Sequence, residues 1–354
     1  MHPRLKTSAW LTRYLFTVFY LISFLLAGIP ALEAQIKPSY FNDFKHYTDE
    51  DGLPTTYISA IREDKNGFLW IATGNGVSRF DGHHFTNFTH YFADSIQHKM
   101  GFVGSIVFDR SGKRIWLGSS GGILYSSVDS VNFQPVERLI PSMKGTNKRN
   151  TDLLTDDGKI LWAAGNKNGL LKIDLPTKEY RRFTFTDEMT KGKFLLNGIT
   201  CLAKDPANHS VLWLGTTAGL IRFNSNTNAY QIYVYGNNTE LAQNRIRTIM
   251  VSGDKVFLGT WSKGLIIFDK KTGQFHQLLK DEDNSRNLLI LDLYTDKDSG
   301  LWITTAKGLI LYDMHNRAIK TILENDEAKG ILRGVSFVDS RGITWYCSGK
   351  GLFK

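Results

Sequence analysis

Basic side chains recur beside glycines along this chain. Lys263, Lys307 and Lys350 each stand directly before a glycine, Asn75 precedes Gly76, and Lys167 lies two places before Gly169. Arg149, Arg245 and Arg286 fall in polar stretches just ahead of apolar runs, and Trp261 is an aromatic ring two places before Lys263. Ammonium and guanidinium groups grip carboxylate or sulfate through charge-assisted hydrogen bonds, and the planar guanidinium fork does so in bidentate fashion. An indole face beside them offers a platform for a sugar ring. Together these residues suit recognition of an acidic oligosaccharide, although solvated lysines on exposed hairpins would leave the same trace in the sequence.

No catalytic set accompanies them. Histidines are scattered, His83-His84 sits in a turn, and no Cys/His or His-Glu spacing suits a metal. No serine occupies a nucleophile elbow, and Gly74-Asn75-Gly76 reads as a hairpin turn, not a phosphate loop. The expectation is therefore a binding protein with no catalytic residue, metal or cofactor. A propeller glycosidase or lyase is the main enzymatic alternative, drawing its acid and base from Asp187-Glu188, Asp281-Glu282-Asp283 or the run Glu324 to Glu327. A protein-interaction scaffold is a third.

What positions these residues is a repeat. Large aromatic residues at Trp70, Trp116, Trp162, Trp213, Phe257, Trp302 and Trp345 are each followed by a glycine, at Gly76, Gly122, Gly169, Gly219, Gly264, Gly308 and Gly351. The period is 43 to 51 residues. Within the first unit, Ile58 to Glu63, Phe68 to Thr73, Val77 to Phe80 and Phe85 to Thr89 are short strand-like runs separated by Asp, Asn and Gly, the mark of a four-stranded meander. Seven such units predict an all-β fold, a seven-bladed β-propeller.

The substitution of Phe257 for tryptophan points to packing between blades as the work of these rings. The last repeat ends without an outer strand, and Tyr40 to Tyr47 resembles an orphan one. The N-terminal strand is thus expected to close the ring and remove an open sheet edge. In a meander blade the turns joining strands two and three share a face with the crossovers, which would gather the basic residues on one side. The opposite side receives Asp64, Asp109, Asp156, Asp205, Asp254, Asp296 and Asp339, read as turn formers.

Residues 1–34 differ from the rest. Arg4, Lys6 and Arg13 precede an apolar run from Tyr14 to Ile29, and Ala31 to Ala34 offers a small-residue exit, the layout of a signal peptide or an uncleaved anchor. The domain reading is then an export segment over 1–34 and a propeller over 35–354, with the protein in the periplasm. The formal charge of +9 becomes +7 once those residues, with three basic groups and one acidic, are removed. On an exported protein that charge points to acidic ligands, envelope polymers or lipid headgroups and away from nucleic acid. Cys201 and Cys347, in repeats four and seven, are too far apart in such a ring to pair and read as small buried residues.

The stretch Phe44 to Pro54, followed by Ile58 to Thr73 and Gly76-Val-Ser-Arg-Phe-Asp81, closely resembles the two-component regulator propeller repeat, and repeats four to six fit it through Leu212 to Leu220, Phe257 to Leu265 and Leu301 to Leu309. The resemblance extends over residues 40–354. It implies the periplasmic sensor region of a histidine kinase, commonly a hybrid one, detecting breakdown products of polysaccharides. A full sensor would continue into further propeller, a β-sandwich, a membrane helix and a kinase core. None of these lies within the 354 residues, so the partners implied are an oligosaccharide, further sensor domains or a second copy.

Overall fold

The computed structural model describes residues 45–93, 95–145, 150–156, 158–165, 169–186, 196–235, 245–279, 288–296, 300–324, 334–347 and 349–354. The proposed export segment lies outside them. Seven four-stranded antiparallel sheets follow one another along the chain, the architecture expected from the repeat. Their innermost strands are Ile58–Glu63, Val103–Phe108, Asn150–Asp156, Ile199–Lys204, Ile246–Ser252, Ile290–Thr295 and Ser336–Val338. These define blades 1 to 7.

Blade 7 is completed from the other end of the chain. Its own strands Ser336–Val338, Thr344–Cys347 and Leu352–Phe353 are joined by His46–Tyr47, with His46 opposite Phe353 and Tyr47 opposite Leu352. The backbones of Lys45 and Lys354 exchange hydrogen bonds on both sides. A second seam joins blades 7 and 1, where the Ser340 N–H and hydroxyl donate to the Glu63 carboxylate at 2.6 and 2.8 Å.

The repeat rings lie between neighbouring blades. Trp162 meets Phe223 of blade 4, Trp213 meets Phe268 of blade 5, and Trp345 meets Phe80 of blade 1, with centroids 5.6 to 6.0 Å apart. Burying a ring of this size is worth up to roughly 4 to 6 kcal/mol. Six of the seven are buried; Trp302 is only partly so.

The aspartates on the far side do more than turn the chain. In blades 1, 4, 6 and 7 the carboxylate of Asp64, Asp205, Asp296 or Asp339 accepts the indole N–H of its own repeat's tryptophan at 2.8 to 3.0 Å. Asp64 also accepts turn N–H groups from Asn66 and Phe68, tying the hairpin to the buried ring. Blade 5, where Phe257 has no N–H to offer, leaves Asp254 exposed and paired with Lys271.

Two features have no counterpart in the sequence reading. A hairpin of His90–Ala93 and Ile96–Lys99 is inserted between blades 1 and 2. The outer strand of blade 2 shrinks to Gln134–Pro135, because proline brings no N–H to the ladder and single-turn 3-10 helices at Val136–Arg138 and Pro141–Met143 follow at once. Cys201 and Cys347 are free and buried, as expected.

Candidate functional site

The inner strands surround a cavity of about 770 Å³ on the propeller axis, walled by residues from every blade. That volume falls within the range of ordinary ligand pockets. Each of the first six inner strands is bulged after its first residue, and the inserted residues Ser59, Gly104, Thr200, Arg247 and Leu291 all line this wall. A bulge lets the strand re-aim a side chain that regular pleating would bury in the sheet.

The bulged positions also stitch blade to blade. The Ser59 hydroxyl donates to the Val103 carbonyl, Thr200 does the same to Ile246, and the Arg247 Nε–H donates to Leu291 at 3.4 Å. Asp152 works in the opposite sense: its carboxylate accepts the Leu202 N–H of the next blade at 2.7 Å and the Leu153 N–H at 3.0 Å.

Five charged residues share the cavity wall: Arg62, Asp152, Arg247 and Asp292 from the inner strands, and Arg245 from the crossover just ahead of Ile246. The two carboxyls are half-buried, yet deep within protein. Burial pushes Asp152 up to about 7, against the two N–H donors and the pull of Arg62, with the nearby Asp292 adding to the rise. Burial likewise lifts Asp292 to about 6, against Arg62, the N–H groups of Leu293 and Ser336, and Arg247. Neither carboxyl is closed by an ion pair with Arg62, whose guanidinium donates to the Ile61 carbonyl at 2.8 Å. Ser105, in the wall between blades 1 and 3, is 7% exposed, and its hydroxyl has no hydrogen-bond partner among the described residues.

At the mouth, Trp261 is 38% exposed and carries two guanidinium groups against its ring, Arg245 at 4.8 Å and Arg247 at 5.4 Å from the centroid. The Trp261 N–H donates to the Arg245 carbonyl at 3.0 Å, which fixes the hairpin to the crossover. Cation–π contact of this kind holds the two arginines in place at the opening. The ring that the sequence suggested as a sugar platform thus carries two guanidinium groups.

Of the nine residues picked from the sequence, the structure brings Arg245 and Trp261 to the cavity. Arg149, Lys167 and Arg286 lie outside the described residues. Asn75, Lys263, Lys307 and Lys350 are not in the wall, and the hairpin geometry explains why. After the second strand the first turn residue faces the axis, as Ser120, Thr217 and Trp261 do. The last residue before the glycine closes a tight turn instead. The N–H groups of Asn75, Lys263 and Lys307 donate to the hydroxyls of Thr73, Thr260 and Thr305, and those hydroxyls donate to the carbonyls of the following glycines. Lys350 holds the latch strand, its carbonyl 3.0 Å from His46 Nε2.

The residues missed were the charges within first strands. Asp152 and Asp292 each stand ten places ahead of their repeat's tryptophan, with uncharged residues immediately on either side. A charge there is the signal, since that strand borders the axis. Among the enzymatic candidates, the residues 187–188, 281–283 and 325–327 lie outside the described set, and among the described residues no group of His, Cys, Asp and Glu is arranged to hold a metal.

Residues 52–75 match the two component regulator propeller family. Over 291 residues it is 25% identical to histidine kinase P4 of Formosa agariphila, a match spanning 76% of this chain and 20% of that protein. The extracellular domains of two hybrid two-component systems from B. thetaiotaomicron share the fold. BT4673 gives a TM-score of 0.68 at 18% identity over 88% of this chain and 39% of that one. BT3049 gives 0.68 at 22% identity over 88% and 41%. The chain thus spans about a fifth of the curated relative and about two fifths of the solved chains. Among the described residues, no helix is long and apolar enough to cross a membrane.

Proposed function

We propose that this chain is the ligand-sensing propeller of a two-component signalling protein, exported to the periplasm, and that it binds an acidic oligosaccharide at the mouth of the axial cavity. The observation that carries this reading is the trio Arg245, Trp261 and Arg247, two guanidinium groups braced on one indole at the opening of a ligand-sized cavity. The repeat family and the similarity to a histidine kinase support the signalling part. Phosphotransfer then belongs to other domains, and the propeller supplies recognition, alone or with further sensor domains or a second copy.

Calorimetric titration of the isolated propeller with uronic, sulfated and neutral oligosaccharides tests it. Preference for the charged sugars, lost in Arg245→Ala, is the expected result. Preference for neutral glycans would reject the charge argument, and recovery of a protein partner with no glycan affinity would favour a scaffold.

A further inference from the structure

The mouth is only the upper end of the cavity. Ile58 stands at the start of its inner strand and Arg62 four residues further along, and both line the wall. At about 3.3 Å per residue the passage is roughly 13 Å deep. Strands from seven blades enclose it, so a linear molecule enters by an end and not along its side.

The polar groups inside are of two kinds. Arg62, with Arg247 reaching in from the mouth, is a cationic donor, and Asp292 lies within the electrostatic reach of both. Asp152 and Asp292 are carboxyls that accept hydrogen bonds and, when protonated, donate them. A ligand that satisfies the whole set needs an anionic group and hydroxyls close together, which is the description of a sugar acid. The Ser105 hydroxyl, buried in this wall and unpartnered among the described residues, is a further group able to bond a polar ligand, since buried hydroxyls ordinarily have partners.

We propose that the axial cavity seats the terminal residue of an acidic sugar chain, its carboxylate on Arg62 or Arg247 and its hydroxyls on Asp152, Asp292 and Ser105, while Arg245 at the mouth holds the next residue. This rests on the oligosaccharide reading above and adds the end-on geometry.

The probes are a uronic-acid tetrasaccharide and the long polymer of the same residue, titrated by calorimetry against the propeller. An axial seat predicts one protein bound per chain whatever its length. It also predicts that Asp152→Asn, Asp292→Asn and Ser105→Ala each weaken the tetrasaccharide, the carboxyl variants by about tenfold or more. Thermal midpoints and circular dichroism identify any variant that fails to fold, and Ser105→Ala keeps the test alive if a carboxyl variant does. Several proteins per polymer chain, or affinity that survives all three substitutions and falls only with Arg245→Ala, would overturn the axial seat and leave the oligosaccharide reading standing. No binding of either probe would overturn both.

Discussion

The carbonyl oxygen of Tyr47 lies 2.3 Å from the point where a β-carbon on Gly351 would stand, although 304 residues of chain separate the two. The same approach recurs within single repeats, where the carbonyls of Phe88, Phe183, Tyr233 and Leu279 crowd Gly76, Gly169, Gly219 and Gly264 at 2.1 to 2.6 Å. Tyr47 therefore occupies the place of an outer strand in a blade that otherwise has none. Gly351 also has φ of 130°, a conformation that residues with a side chain rarely adopt.

Gly351→Ala should loosen the latch. Strain and clash together are expected to cost about 1 to 3 kcal/mol or more, read as a fall of several degrees in the thermal midpoint. Deleting residues 45–48 should produce a loss at least as large, and the glycine substitution made on that deletion should then cost less than on the intact chain. Additive losses would show that Tyr47 is not what constrains Gly351.

Replacing the repeat tryptophans by phenylalanine separates packing from hydrogen bonding. Trp213→Phe strips Asp205 of its indole donor, whereas the Trp116 Nε1–H has no acceptor among the described residues. Trp213→Phe is expected to be the more destabilising by about 1 to 2 kcal/mol. Equal losses in denaturant titration would refute the role given to the aspartate.

Stability should peak on the acid side of neutrality. Asp152 and Asp292 titrate near 7 and 6 when folded, well above the ordinary value of 3.8. Between those values the folded state binds more protons than the unfolded one, so stability falls as pH rises from about 4 to 7 and then levels. Asp205 and Asp339 act in reverse. Burial raises both, but the tryptophan N–H donors together with Lys270 and Arg341 outweigh it and leave both carboxyls below the ordinary value. Their contribution is present above the unfolded pKa and disappears as pH drops through the folded one. Asp152→Asn should flatten the neutral limb and leave the acid limb unchanged in pH-dependent thermal melts.

Incubating the propeller with a glycan library should release no product. Asp152 and Asp292 are carboxyls of unequal proton affinity in one cavity, so the measurement has a definite site to indict if turnover is found. Loss of that turnover in both Asp152→Asn and Asp292→Asn would convert the binding module into an enzyme.

The fold was legible in the chain because a propeller repeats its chemistry. Each blade needs a large ring to wedge against the next and a glycine where the outer strand's carbonyl approaches, so both recur at the period of the blade. Even the closure could be read, from an outer strand missing at one end and spare at the other. Of the residues that line the axial cavity, the sequence pointed only to Trp261 and Arg245. Side-chain direction within a hairpin depends on which turn residue faces the axis, and lysines next to the repeat glycines proved to sit where the turn closes. Charges on the first strands were visible as residues but not as a group, since Arg62, Asp152, Arg247 and Asp292 come from four different blades. Only the ring, by bringing inner strands remote in sequence around one axis, makes them neighbours and buries the two carboxyls enough to raise their proton affinity.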